Sequence, residues 1–204
     1  MIELLLKCFV KDYQDTQSPQ VRQSYGTLSG GVGILLNLLL FAGKFLAGVL
    51  TASIAVTADA FNNLSDAGSS IVTLVGFRLA GQKADEDHPF GHGRMEYLSG
   101  LLVSLVILLV GFELAKSSVE KILHPEAVVF SWLSVGILAA SICVKLWMFW
   151  FNKNLSRRID SAAMAATATD SLSDAAATAV VLLCTFVNRL FDVNIDGAAG
   201  VLVA

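Results

Sequence analysis

Four oxygen-bearing side chains stand out by where they sit and how they are spaced. Asn62 and Asp66 lie in one long apolar stretch, and Asp170 and Asp174 lie in another. Residues four apart on a helix stack on one face, about one turn from each other. An ionised carboxylate inside a membrane-spanning segment is costly and by default marks a functional site. If the two stretches face each other, three carboxylates and one amide can surround a single dication, and the ion's charge makes the acids tolerable in a dry setting. The segments also repeat one another: AFNNLSDA at 60–67 aligns with ATDSLSDA at 168–175, matching Asn62 with Asp170 and Asp66 with Asp174. The site therefore reads as two related halves. Small neighbours (Ala58, Ala67, Gly68, Ala168, Ala175 and Ala176) let the two helices approach closely.

Other titratable groups surround this core. Asp59 lies seven residues before Asp66 on the same stripe. It is read either as an outer relay residue or as a helix-entry group near the outer surface, the second being favoured. Lys145 is expected to snorkel towards a helix end, whereas Lys44 is placed deeper and either snorkels outwards or pairs with a carboxylate. A second cluster, Asp85, His88 and His92, falls in a charged loop with Pro89, Gly91 and Gly93. Histidine with carboxylate suits a borderline transition metal; the alternative is a loop whose histidines cap turns or face solvent. Cys8, Cys143 and Cys184 have no paired spacing, so neither a disulfide framework nor a thiolate site is indicated. Cys143 and Cys184 are expected to serve as small packing residues.

The elements that must hold these groups are membrane helices. The chain is 55% hydrophobic and only 15% charged, with a mean hydropathy of +0.67, too apolar for an ordinary soluble domain. A span needs about twenty mostly apolar residues. Helices are predicted over 30–51, 54–80, 94–118, 129–151 and 160–188, and a sixth begins near Gly197, truncated at Ala204. The fold class is thus all-α integral membrane, a six-helix bundle. Residues 1–28 are read as a cytoplasmic N-terminal segment whose Ile2, Leu5, Leu6, Phe9 and Val10 form an amphipathic helix along the interface, and 29–204 as the transmembrane domain. Lys7, Lys11, Arg22, Arg78, Lys83, Arg94, Lys153, Arg157 and Arg158 fall on one side, against Lys116, Lys121 and Arg189 on the other. The positive-inside rule then puts the N-terminus in the cytoplasm. In that orientation the two motifs lie on antiparallel helices, the pattern of an inverted 3+3 repeat with its site at the midplane.

With these residues in view, the chain resembles the cation diffusion facilitator (cation efflux) family. The resemblance rests on SIAVTADA at 53–60 leading into NNLSD at 62–66, DHPFGHGRME at 87–96, DSLSD at 170–174, and Asp196-Gly197. It implies a six-helix domain that exports divalent metal in exchange for protons, in the cell membrane and usually as a homodimer. Members usually continue into a cytoplasmic metal-binding domain, which the given sequence lacks. The family's transport site maps onto Asn62, Asp66, Asp170 and Asp174, and the loop metal site of some zinc-transporting members maps onto Asp85, His88 and His92. Zinc exporters typically carry histidine at the position of Asp170. An all-oxygen set suits a harder ion, so Mn²⁺ is the expected cargo, with Zn²⁺ the first alternative and iron, cobalt or cadmium behind it. The membrane lipid is the expected partner, and nucleic acid is not. Two rival readings share parts of this pattern. An intramembrane Mg²⁺-dependent prenyltransferase needs Lys or Arg beside its acids to meet diphosphate charge, and neither motif has one within several positions. A passive metal channel could be lined by the same ligands.

Overall fold

A computed structural model describes residues 6, 9–10, 13–16, 19–80, 93–124, 129–191 and 195–203. Asp85, His88 and His92 lie outside the described residues. Among the described residues six helices follow one another from Pro19 onward: α1 (Pro19–Thr51), α2 (Ile54–Ala80), α3 (Gly93–Leu123), α4 (Trp132–Ile159), α5 (Ala162–Phe191) and α6 (Asp196–Val203). There is no strand among the described residues. Three stretches, Ser24–Thr51, Trp132–Ile159 and Met164–Phe191, are long and apolar enough to cross a membrane. Several helices outrun their predicted ends: α1 begins at Pro19 rather than 30, and α4 continues to Ile159 rather than 151. Hydropathy marks only the apolar part of a helix, whereas amphipathic turns continue beyond it.

The bundle is apolar outside and polar within. Leu35, Leu39, Leu46, Leu50, Leu105, Leu108, Phe112, Leu133 and Leu183 are exposed, while Asn37, Lys44, Asp59, Asn63, Ser141, Lys145, Asn152, Ser171, Asp174 and Thr178 are buried. That distribution suits lipid as the surrounding solvent, because an apolar surface of this extent has no place in water. Helix α4 shows the origin of the pattern. Its inward positions Ser134, Leu138, Ser141, Lys145, Met148, Asn152, Leu155 and Ile159 recur at alternating spacings of three and four, the period of a helix that keeps one stripe against its neighbours. Cys143 falls between these positions and is exposed, so it faces outward instead of packing; Cys184 is half-buried against a core cluster.

Two apolar clusters close the ends of the bundle, with the polar layer between them. At one end Ala47, Ala55, Val56, Leu138, Val181 and Ala199 join α1, α2, α4, α5 and α6. At the other, Leu6 and Val10 pack against Val21, Tyr25, Phe151, Leu155, Ile159 and Met164. Leu6 and Val10 are thus buried on the protein while Phe9 is exposed; Ile2 and Leu5 lie outside the described residues. The Tyr25 hydroxyl donates to the Tyr13 carbonyl at 2.9 Å and fixes that docking.

The first end is tied by Asp196, at the start of α6. Its carboxylate accepts from the Ser53 hydroxyl, from the Ile54 N–H at 2.8 Å and from Lys121 of α3 at 3.0 Å. One carboxylate thus caps the first turn of α2 and links three helices. Ser53 in turn accepts from the Val56 N–H at 3.2 Å, the usual N-cap geometry. Here α1 and α2 meet so closely that a Cβ on Gly48 would lie 2.9 Å from the backbone nitrogen of Thr57. At the second end the α4–α5 turn passes through Asp160 in the left-handed region (φ 48°, ψ 56°), with its N–H bonded to the Ser156 carbonyl. Asp is among the few residues that tolerate this conformation.

Candidate metal site

Asp66 and Asp174 sit twelve residues into α2 and α5 respectively, about 18 Å along each axis. The cross-helix bonds show how the two helices run. Asn62 donates to Asp174 at 2.8 Å, and Thr178 donates to Asp59 at 3.1 Å. Numbers fall along α2 as they rise along α5, so the two helices are antiparallel. In this register Asn62 faces Asp174 while Asp66 approaches Asp170. Carboxylate oxygens of Asp66, Asp170 and Asp174 all lie within 4.8 Å of one another. Two oxygens held at about 2.1 Å by one hard cation are at most about 4.2 Å apart. The three oxygens therefore stand near the spacing that a single ion requires.

Exposure falls in steps along the site. Asp170 is exposed, the Asp66 side chain is 18% exposed, Asp174 is 7% exposed, and Asp59 is fully buried. The accessible carboxylate lies towards the end of the bundle where the N-terminal segment docks.

Lys145 does not snorkel. Its side chain is 1% exposed, and Nζ contacts Asp66 Oδ2 at 2.9 Å and Asp174 Oδ2 at 2.5 Å. Because α4 continues to Ile159, Lys145 stands fourteen residues from that helix end, about 21 Å, beyond the reach of a lysine stem. Hydropathy alone stops this helix at 151, eight residues short of its end at Ile159, which brings Lys145 within apparent snorkelling reach. The spacing Ser141, Lys145, Met148 was the available signal, since it puts Lys145 on the inward stripe of α4.

Asp59 is likewise not a helix-entry group near the outer surface, since it is fully buried. Its Oδ2 is 2.8 Å from Lys44 Nζ, both side chains are buried, and Lys44 also donates to the Thr178 hydroxyl at 2.9 Å. Of the two readings of Lys44, pairing with a carboxylate is the one seen. Thr178, which carried no motif, links this triad to α5 one turn beyond Asp174. Three rings (Phe41 and Phe45 of α1, Phe61 of α2) pack with centroids 5.5 to 5.9 Å apart and hold α1 against α2.

A helical membrane bundle whose interior concentrates acids on two antiparallel helices defines a class: proteins that handle cations within the membrane. Comparison with known proteins narrows the class. Residues 32–204 match the cation efflux transmembrane domain, and the chain belongs to that family. It is 31% identical over 85% of its length to an uncharacterized transporter of Methanocaldococcus jannaschii. It is 34% identical over 71% to the manganese efflux system protein MneS of Bacillus subtilis, and 30% identical over 85% to metal tolerance protein C1 of Arabidopsis thaliana. These matches take in 61%, 50% and 40% of the respective relatives, so the chain spans about half the length of the curated relatives it matches.

Proposed function

We propose that this chain is the membrane domain of a divalent metal exporter that carries Mn²⁺ outward in exchange for protons. The observation that carries the reading is the meeting of three carboxylates within one ion's reach, inside a bundle of the cation efflux family. In this reading Asp66, Asp170 and Asp174 are the charged ligands, and Asn62 is a neutral fourth. The amide already grips Asp174 Oδ1 and so sets the angle of that carboxylate. The donor set is all oxygen, which favours a hard ion over Zn²⁺, and the name of the Bacillus subtilis relative specifies manganese efflux. Zn²⁺, iron, cobalt and cadmium are the alternative cargoes. Metal and protons compete for the same acids, which couples the two flows.

The bundle is read as six crossings in two inverted halves, supported by the antiparallel register of α2 and α5. The N-terminus is assigned to the cytoplasm of the cell membrane, and the step in exposure then describes a pocket open to the inside. A homodimer and a second metal site at Asp85, His88 and His92 remain part of the proposal on sequence grounds. For Asp59 two roles stand. It neutralises Lys44, or, through Thr178, it relays protons between the site and the far end. The direct test is Mn²⁺-driven proton movement in liposomes holding the full-length protein. Asp174→Ala is expected to abolish it, and full transport by that variant would remove the assignment. Uphill metal movement driven by a pH gradient separates a carrier from a channel.

A further inference from the structure

Lys145 occupies the position a cargo ion would take. Its ammonium holds Oδ2 of both Asp66 and Asp174, while the Asn62 amide holds the other oxygen of Asp174. Both oxygens of Asp174 are therefore engaged, each through one of its two lone pairs, so a metal that binds there shares the carboxylate with the ammonium unless the ammonium leaves. The amide is neutral and presents its own oxygen after a rotation. The ammonium offers no lone pair and repels a dication at close range in a medium that screens poorly. It also sits on a flexible four-carbon stem, which allows it other rotamers.

We propose that Lys145 is a tethered cation that competes with the transported metal for Asp66 and Asp174. It draws the carboxylates together while the pocket is empty, is pushed aside by the incoming dication, and helps expel that ion when it swings back. A monovalent ion brings no more charge than the ammonium already in place, so the same residue selects for dications. This inference rests on reading the three carboxylates as the transport site.

The experiment is Mn²⁺ titration by calorimetry of the full-length protein in nanodiscs at one fixed, mildly alkaline pH, comparing wild type with Lys145→Met and Lys145→Gln. Loss of a like charge beside the ion is expected to tighten Mn²⁺ binding by about tenfold or more in both variants, while Mn²⁺ efflux from liposomes slows. A residue that only supported the fold would not tighten binding when removed. Lys145→Gln retains an amide donor and stands in if Lys145→Met fails to fold. Wild-type binding with unchanged or weaker binding in the variants overturns the role of Lys145 and leaves the transport site intact. Absence of Mn²⁺ binding by the wild type removes both.

Discussion

Two lysine–carboxylate knots lie within about 10 Å of helix axis of each other, and they differ in balance. In the first, Lys44 meets Asp59, one charge of each sign, both side chains buried, with Thr178 bonded to each. In the second, Lys145 faces Asp66 and Asp174 with Asp170 nearby, one ammonium against three carboxyls, and one of these is exposed. A balanced, sealed pair needs nothing further. An unbalanced, half-open group retains capacity for a cation that must come from outside. On the proposed function, the contrast separates residues that hold the bundle together from residues that receive cargo.

The largest effects should come from the unbalanced knot. Asp174→Ala removes the carboxylate that contacts both Asn62 and Lys145, and Mn²⁺-coupled proton flux in liposomes should fall to background. The balanced knot should respond in stability instead. Asp59→Leu leaves the Lys44 ammonium buried and uncompensated, an expected loss of about 3–5 kcal/mol seen as a lower melting temperature in detergent. Lys44→Met combined with Asp59→Leu replaces both charges by apolar groups of similar size and should restore most of that loss, with transport returning as well. Stability that returns without transport would favour the relay role for Asp59. A double variant no better than the single would show that the pair is not balanced in the sense argued here.

The acids and their spacing were legible because an intramembrane carboxylate is rare enough to be conspicuous, and the duplication of the motif pointed to two facing helices. The positions of the lysines were not legible. A lysine in an apolar run reads the same whether it reaches for a helix end or for a buried partner, and the decision depends on where the helix stops. For Lys145 that depended on the turn at Asp160, which hydropathy does not register. Asp59 was misplaced for a related reason: counting from Ile54 puts it near the start of α2, but Lys44 on α1 meets it there and Thr178 covers it. The buried role of Leu6 and Val10 was equally hidden, since an amphipathic face docked on protein and one lying on lipid have the same spacing.

A smaller effect tests which ion the unbalanced knot prefers. Asp170 is the exposed member of the three carboxylates, so substitution there should disturb packing least. Asp170→His places an imidazole beside two carboxylates, a set that suits Zn²⁺ better than Mn²⁺. Zn²⁺ should then compete more effectively against Mn²⁺ uptake into inverted vesicles. Unchanged competition would mean that selectivity is set elsewhere than by the softness of this ligand.

The smallest expected effect concerns a third ion pair, at the end of the bundle away from the N-terminal segment. Lys121 and Asp196 are 3.0 Å apart with little exposure, but here the carboxylate also accepts from Ser53 and from the Ile54 N–H. The Ser53 hydroxyl and the Ile54 N–H still reach it in Lys121→Met, so the carboxylate is not orphaned as Lys44 would be in Asp59→Leu. The expected loss is about 1.5–3 kcal/mol, the range for one charged hydrogen bond, and the melting temperature should fall by less than in Asp59→Leu. The Mn²⁺ transport rate below that melting point should match the wild type, because the knot ties α2, α3 and α6 at a bundle end and does not line the acidic pocket. If transport fell while the melting temperature held, this knot would be acting as a closure of the far side rather than as a tie, and the division between holding and receiving residues would have to be redrawn to include it.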